Sequence, residues 1–329
     1  MNADSLRRDA DVLSNSRTVL LTAPDGLKHV FPCMRGLLTA LGAKSIVLSS
    51  SPSYGSCDIP VEEAIAVGAD VIVHVGHEPY PMRGYDYATK VLYVPAYTYA
   101  DLPQGFLGGL VDFLRSRGFR EVVVGTNYSE RIVALEVAQG LRDRGVKVVN
   151  DEPLVILGCI FPAELRKLSD ARVLLVVAGG FFHALGAVMA GVPRVVGVDP
   201  FRQAYYDANA EAARYLAKRY FLAAKLRNEP PKLVGIVVGS RPGQYRPWLV
   251  EALAKILRER SVDYVVISST YLRYEDLVAV DRALRADAYV VTSCPRLPID
   301  DLSDFHKPVL TPGELMFSLG AIDSYRYPW

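Results

Sequence analysis

Three cysteines of this 329-residue sequence have the chemistry and the placement of metal ligands. Cys57, Cys159 and Cys294 each lie at or beyond the end of an apolar, β-branched run, and a proline follows each within three residues. They are 102 and 135 residues apart, and the sequence contains no C-x-x-C pair. Three thiolates that meet would suit zinc with a fourth ligand, or a 4Fe–4S cluster with one open iron. If they do not meet, they are small buried apolar residues, as free cysteines usually are.

The fourth cysteine differs from the other three in its setting. Cys33 lies at helical spacing between Val30 and Leu37. This spacing predicts that Cys33 packs on the core face of a helix, so we do not expect it to bind a metal.

The histidines and glycines give weaker signals. His183 lies in VVAGGFFHALG, where a strand is followed by two glycines and a helix start, a turn whose amides can approach an anion. His74 and His77 flank Gly76 at a strand end, which is poor metal spacing and favours a hydrogen-bonded structural role. The sequence shows no Ser-His-Asp order, no Walker loop and no G-x-G-x-x-G after a strand.

The elements that must position these residues are short β-branched strands that alternate with amphipathic helices. The strands form three sets of four in the same order, with first strands near Thr18, Glu121 and Leu233. Matching strands are 101 to 104 residues apart between the first two sets and 112 to 117 apart between the second and third. Such constant offsets indicate an internal triplication.

The predicted fold class is therefore α/β, with three similar four-stranded parallel β/α domains in a pseudo-threefold arrangement. The expected domains are residues 1–104, 105–215 and 216–329. Because ligands bind at the carboxyl ends of parallel strands, three such loops would converge on one central point, where the three thiolates could meet. The extra residues before the third set predict a long helix over residues 203–228, which Glu229-Pro230-Pro231 ends.

Composition narrows the class of protein. The 37 basic and 36 acidic side chains give a net charge of +1, which excludes polyanion binding through bulk charge, so we expect no direct nucleic-acid partner. No apolar run is long enough to span a membrane, and the first 17 residues lack the apolar core of a signal peptide. Four cysteines are too few for a disulfide framework. We expect a cytoplasmic protein with no membrane partner.

Several segments resemble one family. DAYVVTSCPRLPIDDLSDFHKPVLTPGEL, residues 287–315, resembles the Cys-Pro-Arg signature of archaeal 2-(3-amino-3-carboxypropyl)histidine synthase, the first enzyme of diphthamide biosynthesis. The similarity continues along nearly the whole chain. It includes PDGL at 24–27, YGSCD at 54–58, HVGH at 74–77, LGC at 157–159, GGFFHALG at 179–186, DPF at 199–201 and PGQYR at 242–246.

The resemblance implies a homodimeric enzyme whose Cys57, Cys159 and Cys294 hold a 4Fe–4S cluster. It further implies that an electron donor, not identified by the sequence, reduces the cluster, and that the methionine Cγ–S bond of S-adenosylmethionine is cleaved in a radical reaction outside the usual C-x-x-x-C-x-x-C framework. The 3-amino-3-carboxypropyl group would then pass to one histidine of translation elongation factor 2. Beyond the cluster, no catalytic residue is implied. The candidate cofactor-binding residues are Asp25, Gly180, His183 and Gln244.

Two other interpretations remain open on the sequence. Quinolinate synthase is also a triplicated α/β enzyme with three cysteines on one cluster, and it would imply a dehydratase-type condensation; the Cys-Pro-Arg segment argues against it. A non-catalytic, cluster-bearing electron-transfer subunit is the second alternative, and the presence of all three cysteine motifs argues for the catalytic form.

Overall fold

The structure, a computed structural model, describes residues 4–80, 89–169 and 171–329. The chain forms two compact units: Met1–Thr98 with Ser240–Tyr245, and Tyr99–Gly239 with Arg246–Trp329. The first unit contains one β-sheet and the second contains two. In the described ranges, no helix combines the length and the apolar character needed to cross a membrane.

The sheet of the first unit is parallel and has the strand order β2-β1-β3-β4. Its strands are β1 (Val19–Thr22), β2 (Ile46–Leu48), β3 (Val71–Gly76) and β4 (Lys90–Pro95). β1 and β3 are buried along their whole length, as their unbroken apolar sequences predict for a parallel sheet covered on both faces. The helices are α1 (Asp4–Arg8), α2 (Ala10–Asn15), α3 (Phe31–Ala40) and α4 (Val61–Ala66), with 3-10 turns at Asp25–Val30 and Pro242–Gln244.

The first sheet of the second unit has six strands. Its main strand order is β10-β9-β8-β5-β6, and β7 pairs with the carboxyl end of β5. The strands are β5 (Glu121–Thr126), β6 (Lys147–Val148), β7 (Leu154–Val155), β8 (Arg172–Val177), β9 (Val195–Asp199) and β10 (Ala204–Asp207). The helices are α5 (Phe106–Ser116), α6 (Arg131–Arg142), α7 (Phe182–Met189) and α8 (Ala208–Asn228), with a 3-10 turn at Ala163–Lys167.

The second sheet of this unit is parallel and has the order β12-β11-β13-β14. Its strands are β11 (Leu233–Gly239), β12 (Asp263–Ser269), β13 (Ala288–Val291) and β14 (Val309–Leu310). The helices are α9 (Pro247–Glu259), α10 (Tyr274–Leu284) and α11 (Pro312–Ser318), and a π-helical turn covers Leu297–Asp301.

The predicted fold class is confirmed. In each set the strands lie side by side in the order second, first, third, fourth. These orders are β2-β1-β3-β4, β6-β5-β8-β9 and β12-β11-β13-β14. The same order three times is consistent with the triplication inferred from the offsets. The three domain boundaries at residues 104 and 215 stay a prediction.

Two expectations about local structure are wrong. The predicted helix over residues 203–228 begins only at Ala208, because Ala204–Asp207 pairs antiparallel with β9 as strand β10. Asp207 then caps α8 by accepting hydrogen bonds from the amides of Asn209 and Ala210. Cys33 is exposed, because the buried face of α3 runs through Phe31, Met34 and Leu38, and Cys33 points about one helical step away from it.

A buried ion pair connects the helices of the second unit. Arg219 of α8 forms a bidentate ion pair with Glu314 of α11. Its Nε donates to Oε1 at 2.7 Å, and its Nη2 donates to Oε2. The same guanidinium donates to the carbonyls of Pro298, at 3.0 Å, and Val309, at 2.9 Å. Burial by itself would raise the pKa of Glu314, but the charge and hydrogen bonds of Arg219 hold it below its usual value.

Candidate metal centre

Cys57 lies in the first unit, in a tight loop between β2 and α4. The amide of Asp58 donates to the carbonyl of Gly55 at 3.0 Å, and the amide of Tyr54 donates to the Asp58 carboxylate at 3.3 Å. These two bonds close the loop over residues 54–58 around the cysteine. The side chain of Asp58 is 1% exposed, so the loop is held by a buried carboxylate.

A second segment of the same unit, residues 240–245, packs against this loop. The Arg241 guanidinium, 2% exposed, lies 3.3 Å from Asp58 and 2.6 Å from Glu62. Burial raises the pKa of Asp58 to about 7, although the Arg241 charge acts in the opposite direction. A Cβ at Gly243 would lie 2.5 Å from the backbone of Cys57, so only glycine allows this approach.

Gln244 is placed by this packing beside the cysteine. Its side-chain amide donates to the Cys57 sulfur at 3.8 Å. An N–H directed at a thiolate ligand is one of the contacts that set the reduction potential of an iron–sulfur cluster. Gln244, predicted to contact the cofactor, therefore contacts a predicted cluster ligand.

Cys159 lies in the second unit, in a turn closed by paired backbone hydrogen bonds. The amide of Leu157 donates to the carbonyl of Ile160 at 3.1 Å, and the reverse bond is 3.2 Å. A Cβ on Gly158 would lie 1.8 Å from the Phe182 ring, so glycine is required beside the cysteine. The LGC motif is therefore a turn that packs directly against the start of α7.

Cys294 lies in the same unit, three residues beyond the end of β13. Arg246 holds the segment before it, because Nη1 donates to the carbonyls of Thr292 at 3.3 Å and Ser293 at 2.5 Å. Burial raises the pKa of the Cys294 thiol to about 11, and the nearby Cys159 adds to this effect. A charge on Cys159 thus disfavours a charge on Cys294.

Cys57 belongs to the first unit, whereas Cys159 and Cys294 belong to the second. In the ranges described above, no set of three or more His, Cys, Asp or Glu side chains lies together in a way that could hold a metal ion. The convergence of all three cysteine sulfurs stays a prediction.

The backbone amides of the glycine pair before α7 donate hydrogen bonds to two carboxylates of the protein. The amide of Gly179 donates to Glu130 at 2.9 Å, and the amide of Gly180 donates to Asp199 at 2.8 Å. The sequence predicted a turn whose amides could approach an anion, and the anions are side chains of the protein. Gly180 has a φ of +75°, and a Cβ there would meet nothing within 4 Å, so the space beside it remains open.

His183 lies one turn further along. Its Nδ1 atom is buried, and it has no hydrogen-bond partner in the described part of the chain. Burial, with a smaller effect of the nearby Arg296 charge, lowers the pKa of His183 to about 4. The ring is therefore neutral at physiological pH, and Nδ1 is available to accept or donate a hydrogen bond.

Asp25, the last of the predicted cofactor residues, is at the start of a 3-10 turn in the first unit. Its carboxylate is 71% exposed and lies 2.5 Å from the Lys28 ammonium. Lys28 also donates to the carbonyls of Ser50 and Ser51, just after β2. Asp25 thus fixes a lysine that connects the ends of two neighbouring strands.

The two histidines of the HVGH segment form a hydrogen-bonded chain. The parallel register places Thr22 of β1 beside His74 of β3, with Oγ1 and Nδ1 3.1 Å apart. His74 Nε2 lies 2.8 Å from His77 Nδ1. The structural role predicted for these residues agrees with this arrangement. Burial lowers the pKa of His77 to about 4 and that of His74 well below its usual value.

This pair makes the stability of the protein depend on pH. Below about pH 6.5 the unfolded chain binds protons at His77 that the folded chain binds only near pH 4, so stability is lost as the pH falls. We expect His77→Gln to reduce the slope of unfolding free energy between pH 6.5 and 5 by about 1 kcal/mol per pH unit. Urea unfolding at three pH values measures this slope in both proteins.

The variant also removes the effect of His77 on the pKa of His74, which reduces the slope in the same direction, whereas groups that do not contact His77 cancel in the comparison. Asp58, whose raised pKa acts in the opposite direction, is present in both proteins and cancels in the difference. Equal slopes in the two proteins would show that His77 is not held neutral by the fold.

Sequence reasoning missed the residues that hold the cysteine loops in place. Arg241, Arg246 and Tyr327 are all nearly buried, and each contacts the backbone or a neighbour of a cysteine. The available signals were the two arginines that border the PGQ turn and the aromatic residues near position 327. Neither signal predicts which residues these side chains contact, because the contacted residues are distant in the sequence.

The family model for diphthamide synthesis proteins matches residues 23–328, which include all three cysteines. A 2-(3-amino-3-carboxypropyl)histidine synthase of Pyrococcus horikoshii is 27% identical over 321 residues, or 95% of this chain and 88% of that protein. The corresponding enzyme of Methanocaldococcus jannaschii is 26% identical and covers 98% and 89%. Human 2-(3-amino-3-carboxypropyl)histidine synthase subunit 1 is 27% identical and covers 96% and 71%.

The fold has a solved counterpart. A crystal structure of Dph2 from Pyrococcus horikoshii with a 4Fe-4S cluster superposes with a TM-score of 0.82 at 25% sequence identity. The superposition covers 99% of this chain and 93% of that one.

Proposed function

The chain belongs to the diphthamide synthesis protein family, and we propose that it transfers the 3-amino-3-carboxypropyl group of S-adenosylmethionine to a histidine of translation elongation factor 2. The observation that carries this proposal is the family match over residues 23–328. The two archaeal relatives are named 2-(3-amino-3-carboxypropyl)histidine synthases, and this chain is an aminocarboxypropyl transferase of the same family. The match leaves the interpretation as a quinolinate-synthase-like enzyme without support.

We propose that Cys57, Cys159 and Cys294 hold a 4Fe–4S cluster. The residues present fit such a group. Cys159 and Cys294 are two thiols whose mutual influence disfavours the charged form, and bound iron would remove that penalty because it stabilises thiolates. Cys57 receives an N–H from Gln244, the type of contact that stabilises a ligand sulfur. When bound, the cluster supplies one electron and an open iron site for cleavage of the Cγ–S bond of S-adenosylmethionine.

The chain's own residues position the ligands and bind the cofactor. Arg246 holds the segment before Cys294, and the Leu157–Ile160 turn presents Cys159. His183 offers the buried Nδ1 to a polar group of S-adenosylmethionine, and the space next to Gly180 is open. We assign Asp25 and Gln244 to the same cofactor site as side chains of the first unit.

The partners follow from the reaction. The protein substrate is elongation factor 2, and the electron comes from a reductant that neither the sequence nor the structure identifies. We propose that the enzyme is a homodimer and that it works in the cytoplasm, where its substrate acts on ribosomes. No direct nucleic-acid contact is proposed, because the net charge is +1.

The test is a transfer assay with two differently labelled cofactors. Anaerobically reconstituted protein, dithionite and elongation factor 2 are incubated with S-adenosylmethionine labelled at the carboxyl carbon or at the methyl group. We expect the carboxyl label, and not the methyl label, to enter the factor. A factor with the target histidine replaced by glutamine should take up neither. Methyl transfer would overturn the proposed reaction.

A further inference from the structure

Residues 325–329 contact the loop of Cys159 directly and also contact Arg246, the residue that holds the segment before Cys294. Tyr327 is 3% exposed, and its hydroxyl donates to the carbonyl of Gly158 at 2.7 Å. Gly158 is the residue directly before Cys159.

A second contact of this segment is with Arg246, which holds the segment before Cys294. The Trp329 ring lies under the guanidinium of Arg246, with 4.3 Å between the guanidinium carbon and the ring centroid. Arg246 is the residue that donates to the carbonyls of Thr292 and Ser293. The stacked ring restricts the arginine and therefore the strand end that leads to the cysteine.

A third set of contacts anchors the segment to α11. The Tyr325 hydroxyl donates to Glu314 at 2.7 Å, and Glu314 is paired with Arg219. The segment also runs directly over Gly313, where a Cβ would lie 2.3 Å from the carbonyl oxygen of Arg326. The position of residues 325–329 is thus fixed at three points within the unit.

We propose that residues 325–329 are a strap that sets the spacing between the Cys159 and Cys294 loops, with the Tyr327 hydroxyl as its positioning group. The proposal rests on the proposed function, because it explains how two ligands of one cluster are presented together. The loops follow different sheets and are 135 residues apart, so their spacing is set by tertiary contacts. The strap is the element seen to contact one loop directly and the other through Arg246.

Simple core packing is the competing explanation, since Tyr327 and Tyr325 also belong to the apolar cluster beneath α7. The hydroxyl distinguishes the two roles. Tyr327→Phe keeps the ring and removes only the bond to Gly158. Thr126→Val is a matched control in the same unit, because it removes another buried hydroxyl that donates to a carbonyl at 2.7 Å, here that of Val177.

The experiment measures the spacing of the two thiols without a cluster. In full-length, metal-free protein with Cys33→Ser and Cys57→Ser, Cys159 and Cys294 are the only thiols left. Dibromobimane, which fluoresces when it bridges two thiols, reports how fast they are joined, and peptide mass spectrometry confirms the pair. We expect Tyr327→Phe to slow bridging about fivefold, the factor that one lost buried hydrogen bond produces, and Thr126→Val to leave it unchanged. Circular dichroism checks folding of each variant.

A second variant tests the other contact of the strap. Trp329→Leu removes the ring beneath Arg246 and keeps the Tyr327 hydroxyl, and it should also slow bridging. Unchanged bridging in both strap variants, or equal slowing in Thr126→Val, would overturn the strap. If bridging responds as expected but the wild-type protein never takes up iron, the strap stands and the proposed function fails.

Discussion

Alanine at Cys57, Cys159 or Cys294 will remove the brown chromophore of the reconstituted protein and reduce its iron from four atoms per chain towards zero. A cluster held by three cysteines already has one iron without a protein ligand. Loss of another thiolate leaves two attachments, which do not retain a cubane against dilution. Iron analysis and electron paramagnetic resonance after desalting, under anaerobic conditions, measure the effect.

Cys33→Ala is the matched control for these variants. Cys33 is exposed on α3, so its replacement should change stability by less than about 0.5 kcal/mol and leave the iron in place. The burial expected from its helical spacing is wrong, because the side chain is exposed. Iron lost from Cys33→Ala but retained in Cys294→Ala would overturn the ligand assignment.

Arg219→Met will lower the free energy of unfolding of the second unit by about 3–5 kcal/mol. The guanidinium donates hydrogen bonds to a fully buried carboxylate and to two backbone carbonyls. The substitution leaves all three acceptors without this donor. A buried charge left without its partner is among the most destabilising single changes in proteins. Urea unfolding followed by circular dichroism measures the loss.

Two further variants separate the charge from the packing. Adding Glu314→Gln to Arg219→Met removes the unpaired charge, and the double variant should recover more than half of the loss. Lys255→Met removes a cation from an exposed pair with Glu259 at 3.9 Å and should change stability by less than about 0.5 kcal/mol. An Arg219→Met protein as stable as Lys255→Met would show that the buried pair contributes nothing to the fold.

The strands were predictable from the sequence because each is a short apolar run between turn residues. β5, β8 and β11 are examples in which the pattern itself specifies burial. β10 was missed because its two tyrosines continue an apolar pattern into α8, and the capping residue Asp207 was the available sign of the boundary.

The candidate site was predictable only where the chemistry is carried by the residue type. A cysteine in a glycine- and proline-rich loop indicates a metal ligand, and this role stays a prediction for Cys57, Cys159 and Cys294. An arginine in an amphipathic helix does not indicate its partner: Arg219 looks like a solvated residue and binds a carboxylate 95 positions away. The face occupied by Cys33 could not be predicted, because one helical step separates the core from solvent.

The contact between Tyr327 and Gly158 joins residues 169 positions apart, and this bears on the biogenesis of the protein. Chains leave the ribosome at about 5–20 residues per second, and their earlier parts begin to fold first. Cys57 and Cys159 therefore emerge well before the strap that orders the loop beside Cys159. If the proposed strap sets the spacing of the cysteine loops, we expect stable capture of iron only after residue 327 has been synthesised and packed.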